Sequence, residues 1–187
     1  GLGIQGLSAP TASTLYSPSE VCIVNGSLWV ADANNNRVLA YGGIPSGANA
    51  AATLVLGQSL FTTADINQGG VGPQSLYYPV GLASDGTRLY VSDYNNNRIL
   101  MYDALPTADF APADRVLGQG DFASNLPNRR GAQMSGWALS NPAGVHFNGS
   151  QLYVSDYMNA RVLVYDGIPA ANGVTAVRVV GQPDFAT

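Results

Sequence analysis

One stretch of sequence decides the fold, and it occurs three times: residues 28–41 read LWVADANNNRVLAY, residues 89–102 read LYVSDYNNNRILMY and residues 152–165 read LYVSDYMNARVLVY. Each copy is followed by an Ile-Pro or Leu-Pro pair and then by a short apolar segment that ends in Gly-Gln. Self-similarity at a long, fixed period predicts a repeat protein, in which each unit buries its core against its neighbours.

A proline opens each unit, and the spacing of these prolines divides the whole chain. Pro79 follows Pro18 by 61 residues and Pro142 follows Pro79 by 63 residues. If the 187-residue chain were joined end to end, Pro18 would lie 63 residues after Pro142. The chain therefore reads as three whole repeats cut inside a connection. The predicted segments are a connection at 1–17 and repeats at 18–78, 79–141 and 142–187.

Within each unit, apolar residues alternate with a period of two, which is typical of β-strands rather than helices. The Asp85-Gly86 pair, like the Asn-Gly pairs of the other units, predicts a hairpin turn. Four short antiparallel strands per unit describe one blade of a β-propeller. The sequence therefore predicts an all-β chain of three four-stranded blades. In the second unit the strands are predicted at 80–83, 89–92, 98–102 and 114–117.

After its aromatic-Val-small strand, each copy carries the pattern Asp-x-x-Asn-x-Arg, and in this pattern the chain resembles the NHL repeat. The longer unit, with its Pro pair and a later Gly-Gln-x-x-Phe, resembles a long-blade bacterial variety of that repeat. The resemblance covers the whole chain and implies a propeller, which NHL repeats usually build with six blades. The family includes protein-binding, RNA-binding and, rarely, enzymatic members, so the resemblance leaves the function open. The pattern residues are Asp32, Asn35, Arg37, Asp93, Asn96, Arg98, Asp156, Asn159 and Arg161.

Three blades do not close a ring, because propellers have about four to eight blades. An open arc would leave apolar blade faces exposed at both ends. The sequence therefore predicts a head-to-tail homodimer of six blades, closed by twofold rotation. In it, residues 1–17 pack against the partner, and Leu15 fills the pocket that Leu76 and Leu139 fill within the chain. The alternative is half of a longer chain, cut at an exposed loop.

The composition narrows the classes of partner. The net charge is −4, lysine is absent, and only 11% of the residues are charged, which argues against a nucleic-acid surface with its dense basic stripe. No apolar run reaches the length of a membrane span, so no membrane insertion is expected. The single cysteine, Cys22, is expected to be a small core residue. Low charge with abundant Asn, Ser, Thr, Tyr and Gly weakly favours a secreted or cell-surface protein.

The repeated Asp, Asn and Arg admit two interpretations. Three carboxylates and three guanidinium groups on one rim could form a binding site. The stronger interpretation is structural: the Asp accepts backbone N–H groups in its turn, and the Arg forms a bidentate pair with a carboxylate or donates to carbonyls between blades. Recurrence in every copy is what a role in the fold predicts, whereas a site usually breaks the symmetry.

Candidate binding residues are therefore sought where the repeats differ. In a propeller, the turns between second and third strands share one face with the connections between blades. Aromatic rings among amide and hydroxyl groups suit a sugar, a peptide or a protein surface, although each ring could instead pack a connection down. The sequence predicts a non-catalytic binding or scaffold module that recognises a protein or a glycan through this face. The candidates are Tyr77, Tyr78, Tyr94, Tyr157, Trp137, Arg129 and Arg130.

The alternative is a hydrolase or lyase with a metal ion in the central channel. The sequence contains one Glu and one His, Glu20 and His146, both on predicted first strands, and these are the weak candidates for a cation site. A dimer would supply two histidines, too few for the three-His zinc site of the family's lyase members. No nucleophile elbow, Cys/His pair or phosphate loop is present, so no cofactor and no catalytic residue is expected.

Overall fold

The structure is a computed structural model that describes residues 9–131 and 134–187; the side chain of Arg130 lies outside the described part. Within these residues, twelve strands form three four-stranded antiparallel sheets, each made of four consecutive strands in sequence order. The prediction of an all-β chain with three four-stranded blades is confirmed. Completion to six blades by a partner stays a prediction.

The first blade shows how the sequence forms a sheet. Val24 ends the first strand and Ser27 begins the second, so Asn25 and Gly26 form a two-residue loop. Both loop residues have positive φ, at 49° and 76°, as the turn that matches the twist of a hairpin requires. The strands are β1 (Pro18–Val24), β2 (Ser27–Asp32), β3 (Arg37–Ala40) and β4 (Leu54–Leu56).

The second and third blades repeat this topology. Their first hairpin loops are longer, and in each of them only the glycine, Gly86 or Gly149, has positive φ. The second blade contains β5 (Pro79–Ser84), β6 (Leu89–Asp93), β7 (Arg98–Tyr102) and β8 (Arg115–Leu117). The third blade contains β9 (Pro142–Phe147), β10 (Gln151–Asp156), β11 (Arg161–Asp166) and β12 (Arg178–Val180).

A short 3-10 helix joins the second and third strands of every blade, where the sequence predicted a polar turn. These helices are Ala33–Asn35, Tyr94–Asn96 and Tyr157–Asn159. The next residue is left-handed each time, at φ 50° for Asn36, 55° for Asn97 and 49° for Ala160. Asparagine adopts this conformation readily, so Ala160 is a departure from the pattern.

The apolar cores lie between blades. One core joins the first blade to the second, and another joins the second to the third. Between blades, the connections return along the outer strand they have just left, through the parallel bridges of Gly57 with Ser75 and of Gly118 with Ala138. One further helical turn, Asn128–Gly131, lies in the second connection. In the described part of the chain, no helix combines the length and apolar character needed to cross a membrane.

Candidate functional site

The Arg of the repeated motif ties together the two connections that flank its blade. Arg98 Nε donates to Asp93 Oδ2 at 2.8 Å, and Nη1 donates to the carbonyl of Phe122 at 2.8 Å. Nη2 donates to the carbonyls of Gly72 and Ser75, both at 3.0 Å. Phe122 belongs to the connection that leaves the blade, while Gly72 and Ser75 belong to the one that enters it. One guanidinium therefore joins three separate segments of the chain.

The same contacts recur in the other two blades. Arg37 donates to Asp32 and to the carbonyls of Phe61, Thr11 and Thr14. Arg161 donates to Asp156 and to the carbonyls of Phe185, Ser135 and Ala138. In all three, only Nε contacts the carboxylate, and both Nη atoms donate to carbonyls. Of the two contacts expected of the Arg, the structure therefore shows the donation to carbonyls and not the bidentate pair with the carboxylate.

The Asp of the motif accepts its backbone hydrogen bond from outside its own turn, which corrects the expectation from sequence. Oδ1 of Asp32 accepts the N–H of Tyr16 at 2.6 Å, and Oδ1 of Asp93 accepts that of Tyr77 at 2.7 Å. Oδ1 of Asp156 accepts the N–H of Ser140 at 2.7 Å. Each donor lies 16 residues earlier, in the connection that enters the blade. The carboxylate therefore fixes where the connection ends.

Burial places this network out of reach of a ligand. The Asp side chains and those of Arg37 and Arg98 are 0% exposed, and Arg161 is 4% exposed. Burial raises the pKa of Asp93, while the Arg98 guanidinium and the N–H groups of Tyr77 and Asn96 oppose this rise. Because every polar contact to this carboxyl comes from a donor, it is held as the ionised acceptor.

Three of the candidate aromatic residues form a continuous row, which we call the tyrosine row: Tyr78, Tyr94 and Tyr157. The ring centroids of Tyr78 and Tyr94 are 6.1 Å apart and those of Tyr94 and Tyr157 are 6.3 Å apart. Tyr94 and Tyr157 are the first residues of their 3-10 helices, and Tyr78 ends the first connection. Tyr157 is 61% exposed, so the row is accessible from solvent.

The phenol of Tyr94, in the middle of the row, stays protonated. Burial, and then the neighbouring phenols of Tyr157 and Tyr78, raise the pKa of Tyr94 above its usual range. A neutral phenol donates and accepts hydrogen bonds, and its ring presents an apolar face. In the first blade the matching position is Ala33, which is fully buried, so the row spans the second and third blades only.

The second connection forms a cleft of ≈ 570 Å³, which we call the connection cleft. Its floor includes the half-buried indole of Trp137, and the guanidinium carbon of Arg129 lies 3.3 Å from the centre of that ring system. A guanidinium stacked on an indole is a cation–π contact. Polar groups around it come from Ser124, Asn125, Asn128 and Ser135.

The sequence missed a set of amide pairs that join the connections to the turns. Asn67 and Asn96 exchange two side-chain hydrogen bonds, at 3.0 and 2.7 Å. Asn128 and Asn159 do the same at 3.1 and 2.9 Å. The abundance of asparagine in both segments was the only signal for them, because the partners are about 30 residues apart.

The remaining candidates are scattered. Tyr77 is half-buried and serves through its backbone, and Arg130 lies where its side chain is outside the described part. Glu20 and His146 are exposed, on the first strands of the first and third blades. Among residues 9–131 and 134–187, no three His, Cys, Asp or Glu side chains cluster as a metal site would require. Cys22 packs against the first core, and burial, followed by the charge of Glu20, raises the pKa of its thiol.

Comparison with known proteins agrees with the fold. The family model of the NHL repeat matches residues 15–41. No curated protein sequence matches the chain. The glutaminyl cyclase of Myxococcus xanthus is 16% identical, with a TM-score of 0.50 over 94% of this chain and 56% of its own. The hydrazine synthase of Kuenenia stuttgartiensis is also 16% identical, with a TM-score of 0.53 over 98% of this chain and 40% of its own.

Both of these solved structures are longer, and this chain spans about half of the first and less of the second. At such low identity the likeness concerns the fold alone. Their chemistry is therefore a property of those proteins.

Proposed function

Because this chain is an NHL-repeat β-propeller protein, we propose that it is a non-catalytic binding module that recognises a protein or a glycan through the loop-rich face of its blades. The observation that carries the proposal is the tyrosine row, whose ring centroids are spaced 6.1 and 6.3 Å apart on that face. Rings that recur at this spacing form a platform that an extended apolar surface can cover.

The chemistry of the row fits such a ligand. Tyrosine and tryptophan are enriched at protein interfaces because they bury a large apolar area and keep a polar end for a hydrogen bond. Each has few rotatable bonds, so little conformational entropy is lost when it is covered. The backbones of Tyr94 and Tyr157 are held by 3-10 helices that end against buried motif residues, so the platform is formed before the ligand arrives.

The connection cleft supplies a second element on the same connection-rich side. Trp137 offers an indole face with Arg129 stacked on it, and the surrounding groups are hydroxyls and amides. An aromatic face ringed by such groups suits a sugar ring or a polar peptide side chain. The buried Asp-Arg motif takes no part, since its polar groups are already used to hold the connections.

The test is binding of the purified protein to arrays of glycans and of peptides. Tyr94→Ala and Tyr157→Ala should each lower the affinity for the selected ligand by about tenfold or more, as central aromatic residues of interfaces do. Thr87→Ala is the matched control, because Thr87 is exposed and lies in the loop between β5 and β6, at the end of the second sheet opposite Tyr94. Equal losses in all three variants would contradict the proposal.

A second readout separates binding from catalysis. Elemental analysis of the purified protein should find no metal in proportion to the chain. A stoichiometric metal that is lost in Glu20→Gln or His146→Ala would point to chemistry in the channel instead.

A further inference from the structure

Each internal junction joins two defined surfaces. We call the side of a blade that packs on the following blade its forward face, and the opposite side its backward face. At the first junction, Trp29, Val38, Ala40 and Leu56 form the forward face, and Leu89, Val91, Leu100 and Tyr102 form the backward face. At the second, Tyr90, Ile99, Met101 and Leu117 meet Leu152, Val154, Leu163 and Tyr165.

Among the described residues, no other blade packs on the backward face of the first blade, although Leu15, Ala50 and Phe61 cover part of it. The face carries the same residues as the two buried backward faces. The strand register places Leu28, Val30, Leu39 and Tyr41 at the positions of Leu, Val, Leu and Tyr in both other blades. Its first strand exposes 57% of Val21, whereas the matching Leu82 and Val145 are 7% and 9% exposed. Val21, Leu28, Val30 and Tyr41 line an apolar cleft of ≈ 390 Å³ together with residues of the adjacent loops, including Leu15 and Ala50.

The forward face of the third blade is most exposed at its outer strand, whereas Val164 is buried. This face consists of Tyr153, Val162, Val164 and Val180, which match the one aromatic and three aliphatic positions of the two buried forward faces. Val180 is 58% exposed, while the matching Leu56 and Leu117 are 0% exposed. The two ends of the arc therefore present the two halves of one kind of junction.

The two ends of the arc also carry a leucine and the glycine on which such a leucine packs, one at each end. We call the space above this glycine the socket. A β-carbon at Gly57 or Gly118 would lie 2.7 Å from Cδ1 of the connection leucine, Leu76 or Leu139. At Gly181 no leucine of the described residues approaches, and the nearest atoms belong to Ala160 and Arg161. Leu15 is the matching leucine at the other end, and it is only partly buried against the first blade.

We propose that the forward face of the third blade binds the backward face of the first blade of a second copy of this chain, and that two such junctions close a six-bladed ring. Leu15 then enters the socket at Gly181 of the other copy. The backbone supports the same register. The N–H groups of Phe110 and Gly173 donate to the carbonyls of Val55 and Val116 across the internal junctions, at 2.8 and 3.1 Å.

The matching donor and acceptor at the free ends are Asn49 and Val179. Asn49 already has the positive φ, 61°, that Phe110 and Gly173 have at 55° and 61°. One chain therefore carries both the donor and the acceptor of this hydrogen bond, and a second copy would supply the complementary group at each free end.

Two alanines should make the proposed junction between copies weaker than the junctions within the chain. Asp109 and Asn172 accept the N–H of Val55 and Val116 through Oδ1, both at 2.9 Å, but the matching residue at the free end is Ala48. Asn36 and Asn97 accept the N–H of Tyr78 and Asn141 through Oδ1, at 2.9 and 2.8 Å, but the matching residue of the third blade is Ala160. Association between copies is therefore expected to depend on concentration.

A third difference between the proposed junction and the internal ones lies on the first strand of the third blade. His146 occupies the position of Cys22 and Ala83 on the forward face, as the pairing with Tyr153, Trp29 and Tyr90 shows. The junction between copies must therefore accommodate an imidazole where a small side chain packs elsewhere.

The first experiment is the mass of the particle by sedimentation over a range of concentrations. A species of twice the chain mass of 19.4 kDa supports the proposal. A monomer at every concentration, or a trimer, overturns it.

Val21→Asp and Val180→Asp each place a charge in one half of the junction and should raise the dissociation constant by about tenfold or more.

Leu60→Asp is the control, since Leu60 is 59% exposed outside both faces and the matching residues of the other repeats are Asp121 and Asp184. Mixing the two face variants should recover a one-to-one dimer through the junction whose two faces are unchanged. If only one of the two variants dissociates, the dimer joins like faces and the proposal is wrong.

The second experiment restores the missing acceptors. Ala48→Asp and Ala160→Asn together should lower the dissociation constant by about tenfold or more, since each adds a hydrogen bond that both internal junctions make. Ala160→Gly relieves the strain of the left-handed backbone conformation without adding a side-chain amide. It should leave the dissociation constant unchanged. An equal effect of Gly and Asn at this position would overturn the register.

Discussion

The Cδ1 atom of Leu139 lies 2.7 Å from where a β-carbon on Gly118 would be, so a leucine near the end of the connection is seated on the glycine near its start. Gln119, the next residue, donates to the carbonyls of Asn97 and Leu126 at 3.0 Å each. The repeated Gly-Gln pair is therefore a structural signature: the glycine accommodates a leucine and the glutamine holds the turn.

Gly118→Ala should destabilise the fold by about 2 kcal/mol or more, because the new methyl group overlaps Leu139 and the backbone has a φ of 88°. Denaturant unfolding of the monomeric protein measures this. Gly181→Ala is the matched comparison, since its φ is 97° but, in the part of the chain that the structure describes, no leucine packs on it. The two costs should differ; equal costs would show that backbone strain alone accounts for the glycine.

Arg98→Ala should lower the free energy of unfolding by about 3 kcal/mol or more, because it leaves the Asp93 carboxylate buried without its charge partner and removes the guanidinium hydrogen bonds to three carbonyls. Arg37→Ala and Arg161→Ala should cost similar amounts. Arg98→Lys should not restore stability, since an ammonium group does not span the same fork. Unchanged melting curves with lost ligand binding would make the motif a site.

Cys22 should react slowly with an alkylating reagent at pH 8. Its pKa lies above the usual value, so the thiolate fraction at that pH is smaller than in a free thiol, and the rate should keep rising at higher pH. Mass spectrometry of the alkylated chain follows the reaction. In urea, where burial is lost, the rate should match that of an ordinary cysteine. Reaction in the native state as fast as in urea would mean that Cys22 is not packed against the core.

Arg129→Ala should shift the fluorescence of Trp137 to longer wavelength, because the guanidinium 3.3 Å from its ring centre shields the indole from water. Stability should change little, by about 1 kcal/mol or less, as for an exposed cation–π pair. Trp29 is 4% exposed and supplies a constant background, and Trp137→Phe assigns the signal. An unchanged spectrum would contradict the stacking.

The local structure follows from the sequence alone. The predicted third strand of the second blade, 98–102, is the strand Arg98–Tyr102, and its outer strand, predicted at 114–117, is Arg115–Leu117. Strands and turns are determined by the period of apolar residues and by the backbone preferences of Gly, Asn and Pro, which act over a few positions. The repeat then made the number of blades predictable, since three equal patterns fold in the same way.

The placement of side chains between repeats was decided by tertiary structure only. Asp93 accepts an N–H from Tyr77, 16 residues away, and Tyr94 meets Tyr157 of the next blade at 6.3 Å. Neither contact has a sequence signal, because both arise when two blades pack on a shared core. The exposure of Val21 and Val180 was also decided by tertiary structure. Both are apolar residues at strand positions that are buried in the other blades, and only the packing of the blades shows that they lie at the two open ends of the arc.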